Sequence, residues 1–284
     1  MSIENVTVIG AGLMGKQIAM QVAINGYSVT CYDVSQNAIK EATKFSESWF
    51  ATRVQKNKMD QVEVDEIQTR LRFITDEKEA AKDADIVMEA VLDMENVKRS
   101  VLKSFDKFTK KGVIYTSNSS YIVSSRFADA VKDPTRILNV HFFNPALVMK
   151  IVEVVNNERV SQETFDVVFD FIKSINKTPV RIEKEIYGFV VNRIFSALTR
   201  EACNLVDLGI ASPEDIDNAV KGALGHSMGP LETLDMTGID LEYNVYMERF
   251  RNSNEKKDLP AACLTEHYAK GEYGRKTKKG FYKY

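Results

Sequence analysis

Two residues of this chain could hand a proton to and from a bound substrate. His141 ends an apolar run, in Val140-His141-Phe142-Phe143-Asn144-Pro145, and Glu153 interrupts the next one, Ile151-Val152-Glu153-Val154-Val155. A carboxylate inside an apolar strand is costly to bury unless it is paired. A nearby histidine would satisfy it. The acid would then fix the imidazole tautomer and raise its basicity, and the ring would exchange a proton with substrate. Singly, His141 also reads as a hydrogen-bonded core histidine, and Glu153 as a residue on the solvent face of an edge strand. A third polar group, Ser117-Asn118-Ser119-Ser120, follows the apolar strand 113–116 and alone reads as a turn.

A second constellation lies near the start. Val6-Thr7-Val8-Ile9 runs into Gly10-Ala11-Gly12-Leu13-Met14-Gly15 and then into a helix-like segment from Lys16. A G-x-G-x-x-G loop between strand and helix suits a pyrophosphate: the first glycine makes the tight turn, the second admits the phosphates, and the third lets helix pack on strand. The helix N-terminus faces the anion with free N–H groups. A bare tight turn would use the same glycines. The next apolar run, Tyr27 to Tyr32, ends at Asp33, placed to bind a ribose 2′-hydroxyl and to repel a 2′-phosphate. The expected cofactor is therefore NAD rather than NADP. Asp33 would otherwise be a cap or turn residue.

These groups need a scaffold. Strand-like runs at 6–9, 28–32, 72–75, 86–90, 113–117 and 137–142 alternate with helices, as in a doubly wound, mainly parallel α/β sheet. Strands at 151–155 and 180–182 flank a helix at 162–175. Residues 36–71 exceed an ordinary crossover and read as two helices around a turn at 57–60, a helical-arm insertion. After residue 185 the texture becomes all-helical: a helix over 188–208 stopped by Gly209, another opened by Ser212-Pro213-Glu214-Asp215, one over 230–250 and one over 259–270. The charged stretch 251–258 reads as a solvated loop. The expected domains are 1–185, a Rossmann-type dinucleotide-binding unit, and 186–284, helical. Ligands of such sheets bind beyond the carboxyl ends of the strands, where the serine run and His141 fall.

Composition sets the bounds. The chain has 284 residues, 44 % hydrophobic and 27 % charged, with net charge −2. That fits a sizeable core and gives no reason to expect nucleic-acid binding. Cys31, Cys203 and Cys263 lack metal-ligand spacing, and Cys31 and Cys203 read as core residues. His226 and His267 read as structural. With no leader and no membrane-length apolar run, a cytoplasmic setting is expected.

Together these residues resemble the L-3-hydroxyacyl-CoA dehydrogenases, most closely the bacterial 3-hydroxybutyryl-CoA dehydrogenases. The resemblance spans nearly the whole chain. Beyond the glycine loop and Asp33 it rests on 117–120, His141-Phe142-Phe143-Asn144-Pro145, Glu153, Gly188-Phe189-Val190-Val191-Asn192-Arg193, Met228-Gly229-Pro230-Leu231-Glu232 and the terminal Gly274-Arg275-Lys276-Thr277 with Gly280-Phe281-Tyr282. It implies that His141 is the general base or acid and Glu153 its partner, that Ser120 contacts substrate oxygen and cofactor, and that Asn192 lies beside the substrate carbonyl. It implies cofactor contacts from Gly10, Gly12, Leu13, Met14, Gly15, Asp33, Asp93, Lys98, Ser120, Asn144 and Lys276. It places the coenzyme A phosphates near Arg53, Lys56 and Lys58, which otherwise read as a solvated helix face. It implies a homodimer formed through the C-terminal domain. The chain departs from the family wording at Tyr121, Met94, the segment Gly225-His226-Ser227 and Lys278.

The expected reaction is hydride transfer between C3 of a 3-hydroxyacyl thioester and the nicotinamide, with short chains such as acetoacetyl preferred. A dehydrogenase of free hydroxy acids or of carnitine shares this plan. A non-catalytic protein could keep the dinucleotide site alone.

Overall fold

The computed structural model describes residues 3–284, the side chain of Asn252 excepted. The chain divides into two compact units, the first ending at Phe189 and the second running Val190–Tyr284. The texture change at 185 precedes that junction because Phe189 is fully buried with Val155 and Ile182 of the first unit.

The first unit is built on β1 (Asn5–Ile9), β2 (Ser28–Tyr32), β3 (Leu71–Ile74), β4 (Ile86–Glu89), β5 (Ile114–Ser117), β6 (Ile137–Phe142), β7 (Ile151–Val155) and β8 (Thr178–Ile182). They form one eight-stranded sheet in the order β3-β2-β1-β4-β5-β6-β7-β8. Neighbours pair in parallel except β6 and β7, which are antiparallel. The reversal puts His141 directly opposite Glu153 in the register.

Helices cover both faces, which is why most of these strands read as continuous apolar runs. On one face α1 (Leu13–Ile24), α2 (Gln36–Gln55), α3 (Gln61–Arg70) and a later helix, α6 below, bury Ile18, Val22, Ile39, Phe50, Ile67, Phe165 and Phe171 against Val8, Ile86 and Leu138. On the other, α4 (Glu77–Ala81) and α5 (Glu95–Phe105) bury Ala80, Leu102 and Phe105 against Val87 and Tyr115. Ser35 and Asp60 cap α2 and α3. The inserted pair is therefore tied to the core along its inner side. α6 (Gln162–Ser174) starts at a Ser161 cap.

The second unit contains α7 (Val191–Asp207), α8 (Pro213–Leu224), α9 (Pro230–Thr237), α10 (Ile239–Ser253) and α11 (Ala262–Ala269) around Leu231, Leu234, Ile239, Tyr246 and Leu264. Ser212 caps α8 with Pro213 in the first turn, and Gly209 takes a positive φ of 65° after α7. The expected single helix over 230–250 is two, broken at Gly238 with φ 111°. The stretch 251–258 is also more ordered than expected. α10 continues to Ser253, and Ser253 Oγ bonds Asp258 (2.6 Å) around a 3-10 turn at Lys256–Asp258. Among the described residues, no helix is long and apolar enough to cross a membrane.

Candidate active site

The carboxyl ends of β1 and β2 hold the first half of the site. Gly10 has φ 98°, and a Cβ there would lie 2.7 Å from the Ala90 carbonyl oxygen; one on Gly15 would lie 1.7 Å from the Gly10 oxygen. Only glycine fits either place. At Gly12 no atom lies within 4 Å of where a Cβ would stand, so a bulky anion can approach the backbone. Leu13, 59 % exposed, opens α1 beside it. Asp33 follows β2 directly and folds back on the loop: one oxygen accepts the Ala11 N–H (2.9 Å) and the other the Ser35 N–H (2.9 Å). The cap reading is thus partly right, with Ser35 as the actual helix cap and Asp33 bracing both turns. A cavity of about 520 Å³ lies alongside, lined by Gly10, Tyr32, Asp33, Val34, Glu77 and Val97 among others. A glycine cradle at a helix N-terminus, beside a cavity with a carboxylate at its edge, fits a dinucleotide with a free ribose 2′-hydroxyl.

The second half comes from β6 and β7. His141 Nδ1 and Glu153 Oε2 are 2.8 Å apart, with side-chain exposures of 5 % and 0 %. The acid is thus held out of water against one ring nitrogen, Nδ1, and Nε2 is the ring nitrogen outside this contact. Phe143 and Phe189 pack on the imidazole, centroids 4.5 and 5.6 Å away.

The serine turn is joined to both halves. Asn118 donates its backbone N–H to the Glu89 carbonyl (2.8 Å), and its side-chain oxygen accepts the Phe142 N–H (2.9 Å). Ser119, not Ser120, is buried, and its hydroxyl donates to Asp93. Ser120 is half-buried, and its N–H donates to the other Asp93 oxygen at 3.3 Å. Lys98 is 1 % exposed, its ammonium 2.9 Å from Glu89 and 3.3 Å from Asp93. Asn144 and Pro145 lie in the exposed loop after β6.

The remaining expected residues stand as follows. Arg53 stacks on Trp49 (4.5 Å to the ring centroid) near the end of α2, and Lys56 and Lys58 are exposed on the turn that follows. In the second unit, Asn192 is half-buried at the start of α7, and Lys276 is ion-paired with Asp240 at 2.5 Å. The tail bearing Lys276 is pinned by buried Asp235, which accepts the Phe281 and Tyr282 N–H groups at 3.0 and 2.9 Å. Burial pushes that carboxyl up from its ordinary range. His267 Nδ1 and Glu272 Oε2 are 2.8 Å apart.

Sequence reasoning missed two supports. Glu89 is fully buried at the end of β4, and burial pushes its carboxyl up against the opposing pull of Lys98 and Ser117. It obeys the rule that picked out Glu153, an acid in an apolar strand, and could have been found by it. Lys177 is buried and donates to the Ala146 and Met149 carbonyls (2.6 and 2.9 Å), holding the loop between His141 and β7. Nothing in its local sequence signals that reach.

Comparison with known proteins gives the family. The family model for the 3-hydroxyacyl-CoA dehydrogenase NAD binding domain matches residues 5–186, and that for the same family's C-terminal domain matches 188–284. A 3-hydroxybutyryl-CoA dehydrogenase of Clostridioides difficile is 35 % identical, covering 98 % of both chains. The human mitochondrial hydroxyacyl-coenzyme A dehydrogenase is 34 % identical over 99 % of this chain and 91 % of its own. The crystal structure of an (S)-3-hydroxybutyryl-CoA dehydrogenase from Ralstonia eutropha superposes with a TM-score of 0.93 at 33 % identity, covering 100 % of this chain and 99 % of that one. With both halves matched and the dinucleotide cradle intact, the chain belongs to the 3-hydroxyacyl-CoA dehydrogenase family, an NAD-dependent oxidoreductase family.

Proposed function

We propose that the chain interconverts (S)-3-hydroxyacyl-CoA and 3-ketoacyl-CoA, with short acyl groups such as 3-hydroxybutyryl and acetoacetyl preferred. The 2.8 Å contact between His141 and buried Glu153 carries this reading. When bound, NAD accepts or returns the hydride exchanged with the substrate's C3. The protein's own task is the accompanying proton. In oxidation His141 Nε2 removes the 3-hydroxyl proton; in reduction the imidazolium returns it to the oxygen. Glu153 stabilises that imidazolium and holds the ring so that only Nε2 faces chemistry. Ser120 orients the substrate oxygen, and Asn192 the thioester carbonyl. Gly10, Gly12, Leu13, Met14, Gly15, Asp33, Asp93, Asn144 and Lys276 serve the cofactor, and Arg53, Lys56 and Lys58 the coenzyme A phosphates.

A homodimer through the second unit fits the large exposed apolar side chains there, Ile194 (66 %), Leu208 (73 %), Ile210 (66 %) and Leu241 (57 %), and light scattering should return the mass of two chains. A reducing, cytoplasmic compartment fits three buried cysteines that form no disulfide. The test of the activity is NADH oxidation against acetoacetyl-CoA, longer 3-ketoacyl-CoAs, free acetoacetate and dehydrocarnitine. Turnover of the thioesters alone is expected. Turnover of the free acid or of dehydrocarnitine in their place overturns the reading.

A further inference from the structure

The two chain segments that carry His141 and Glu153 each put a buried asparagine on the same serine. Asn139 stands two residues before His141 on β6, on the same face of the sheet, and is wholly out of water. Its side-chain oxygen accepts the Ser124 N–H at 2.7 Å, and its amide nitrogen donates to the Ile122 carbonyl at 3.0 Å. One partner needs an acceptor and the other a donor, which fixes the way the amide points. Asn157 lies two residues beyond β7 and is also buried. It donates to the Ser124 hydroxyl at 2.9 Å and to the Ile137 carbonyl at 3.1 Å. Its own oxygen accepts the Arg159 and Val160 N–H groups, at 2.9 and 3.2 Å. Ser124, itself wholly buried, is therefore held by its N–H from β6 and by its hydroxyl from the segment after β7.

Ser120 lies between this anchor and another. Upstream of it, Asn118 accepts the N–H of Phe142, the residue after His141. The segment 118–124 is thus tied to β6 on either side of His141, while Asp93 takes the Ser119 hydroxyl and the Ser120 N–H in its middle. A buried amide is costly unless it is bonded, and apolar side chains of similar shape would fill the same space without that risk. What a bonded polar network adds is a single geometry. We propose that Asn139 is a positioning residue, supported by Asn157: it fixes the downstream end of the serine turn on the strand that carries the base, and so sets where Ser120 stands relative to His141. The proposal rests on the functional reading above for the roles of Ser120 and His141; the tie between the turn and β6 stands apart from it.

Two variants test this. Asn139→Ala removes both bonds. Asn139→Ser puts a hydroxyl where the amide carbon lies, one bond length short of either partner, and leaves room for a water to serve them, so the fold should tolerate it. In both, the Ser124 amide, followed by NMR, should exchange its hydrogen at least about tenfold faster than in wild type. At saturating NADH, kcat/KM for acetoacetyl-CoA should fall more than about fivefold. In a Ser120→Ala background the same change should cost less than about twofold, because the residue that the tie serves is gone. A merely structural role would cost as much in either background. Slower Ser124 exchange than that, a smaller loss of kcat/KM in the wild-type background, or a larger one beside Ser120→Ala overturns the proposal. Should Asn139→Ala fail to fold, Asn139→Ser decides by the same readouts. If the wild type does not turn over acetoacetyl-CoA, the functional reading fails, and Ser124 exchange still decides whether Asn139 holds the turn.

Discussion

Replacing Glu153 with glutamine probes the imidazole directly, because the substitution keeps shape and removes only charge. Nδ1 and the carboxylate oxygen are 2.8 Å apart, and both side chains are nearly or wholly out of water. Unit charges centred about 4 Å apart attract by about 4 kcal/mol at an effective dielectric of about 20. The glutamine oxygen still accepts the Nδ1–H, and a neutral hydrogen bond returns about 1 kcal/mol. The imidazolium therefore loses about 3 kcal/mol of stabilisation, which is about a hundredfold in rate at roughly 1.4 kcal/mol per factor of ten. Oxidation should slow by that factor, because the charged ring is formed there, and reduction, which starts from the charged ring, should slow less. NADH affinity should hold, since the cradle lies on β1 and β2. The assay is kcat with acetoacetyl-CoA and with 3-hydroxybutyryl-CoA, beside an NADH fluorescence titration. His141→Gln supplies the cycle: in its background Glu153→Gln should cost almost nothing further, because the ring that the acid serves is gone. Two results refute the reasoning. One is kcat within threefold of wild type in both directions; the other is a full hundredfold loss that persists without His141.

Asp33→Asn should raise kcat/KM with NADPH by about tenfold and lower it with NADH, since one repelling charge is gone; Glu77 lines the same cavity and keeps the gain small. No gain with NADPH would detach Asp33 from cofactor choice. Neutralising Arg53, Lys56 and Lys58 together should raise KM for the thioester and flatten its salt dependence with kcat kept, and a salt-sensitive KM that survives would move the phosphate site elsewhere. Burial, aided by the nearby Lys150 charge, pushes Lys177 down from 10.5 to about 8. Between those values the unfolded chain holds a proton that the folded chain has released, so stability rises with pH across that window. Urea unfolding from pH 7.5 to 10 should show wild type gaining on Lys177→Met by up to about 3 kcal/mol. A flat difference would show that burial does not depress this amine.

The strand pattern was legible because both faces of the sheet are covered: its strands are mostly apolar, and the runs 28–32, 137–142 and 151–155 match the strands residue for residue. Caps were legible for a local reason, since Ser212 and Pro213 bond and shape only the turn they start. The break at Gly238 was not, because one glycine inside a helical pattern is often tolerated, and here the turn N-terminal to it closes normally, with the Gly238 N–H bonded to the Leu234 carbonyl at 2.8 Å. The pairing of His141 with Glu153 was predictable in kind but not in register. Only the antiparallel turn of β7, one reversal in an otherwise parallel run of neighbours, sets the two residues opposite each other.

That reversal also explains how the proposed acid–base pair is brought together. In a wholly parallel sheet, a connection long enough to cross over would separate the end of β6 from the start of β7. An antiparallel partner needs only the loop 143–150, and Lys177 holds that loop from behind through two carbonyls. The acid thus reaches the base from within the sheet, with no loop of its own to move. Glu89 repeats the device on β4 of the same sheet, where a buried acid at a strand end meets a lysine from the following helix. In both places a carboxylate costly to bury alone is held beside a cation or a potential cation at the sheet's carboxyl edge. The difference lies in the partner. The lysine joins β4 to the helix that follows, whereas an imidazole is the side-chain type suited to exchange a proton near neutral pH, which is the role proposed for His141.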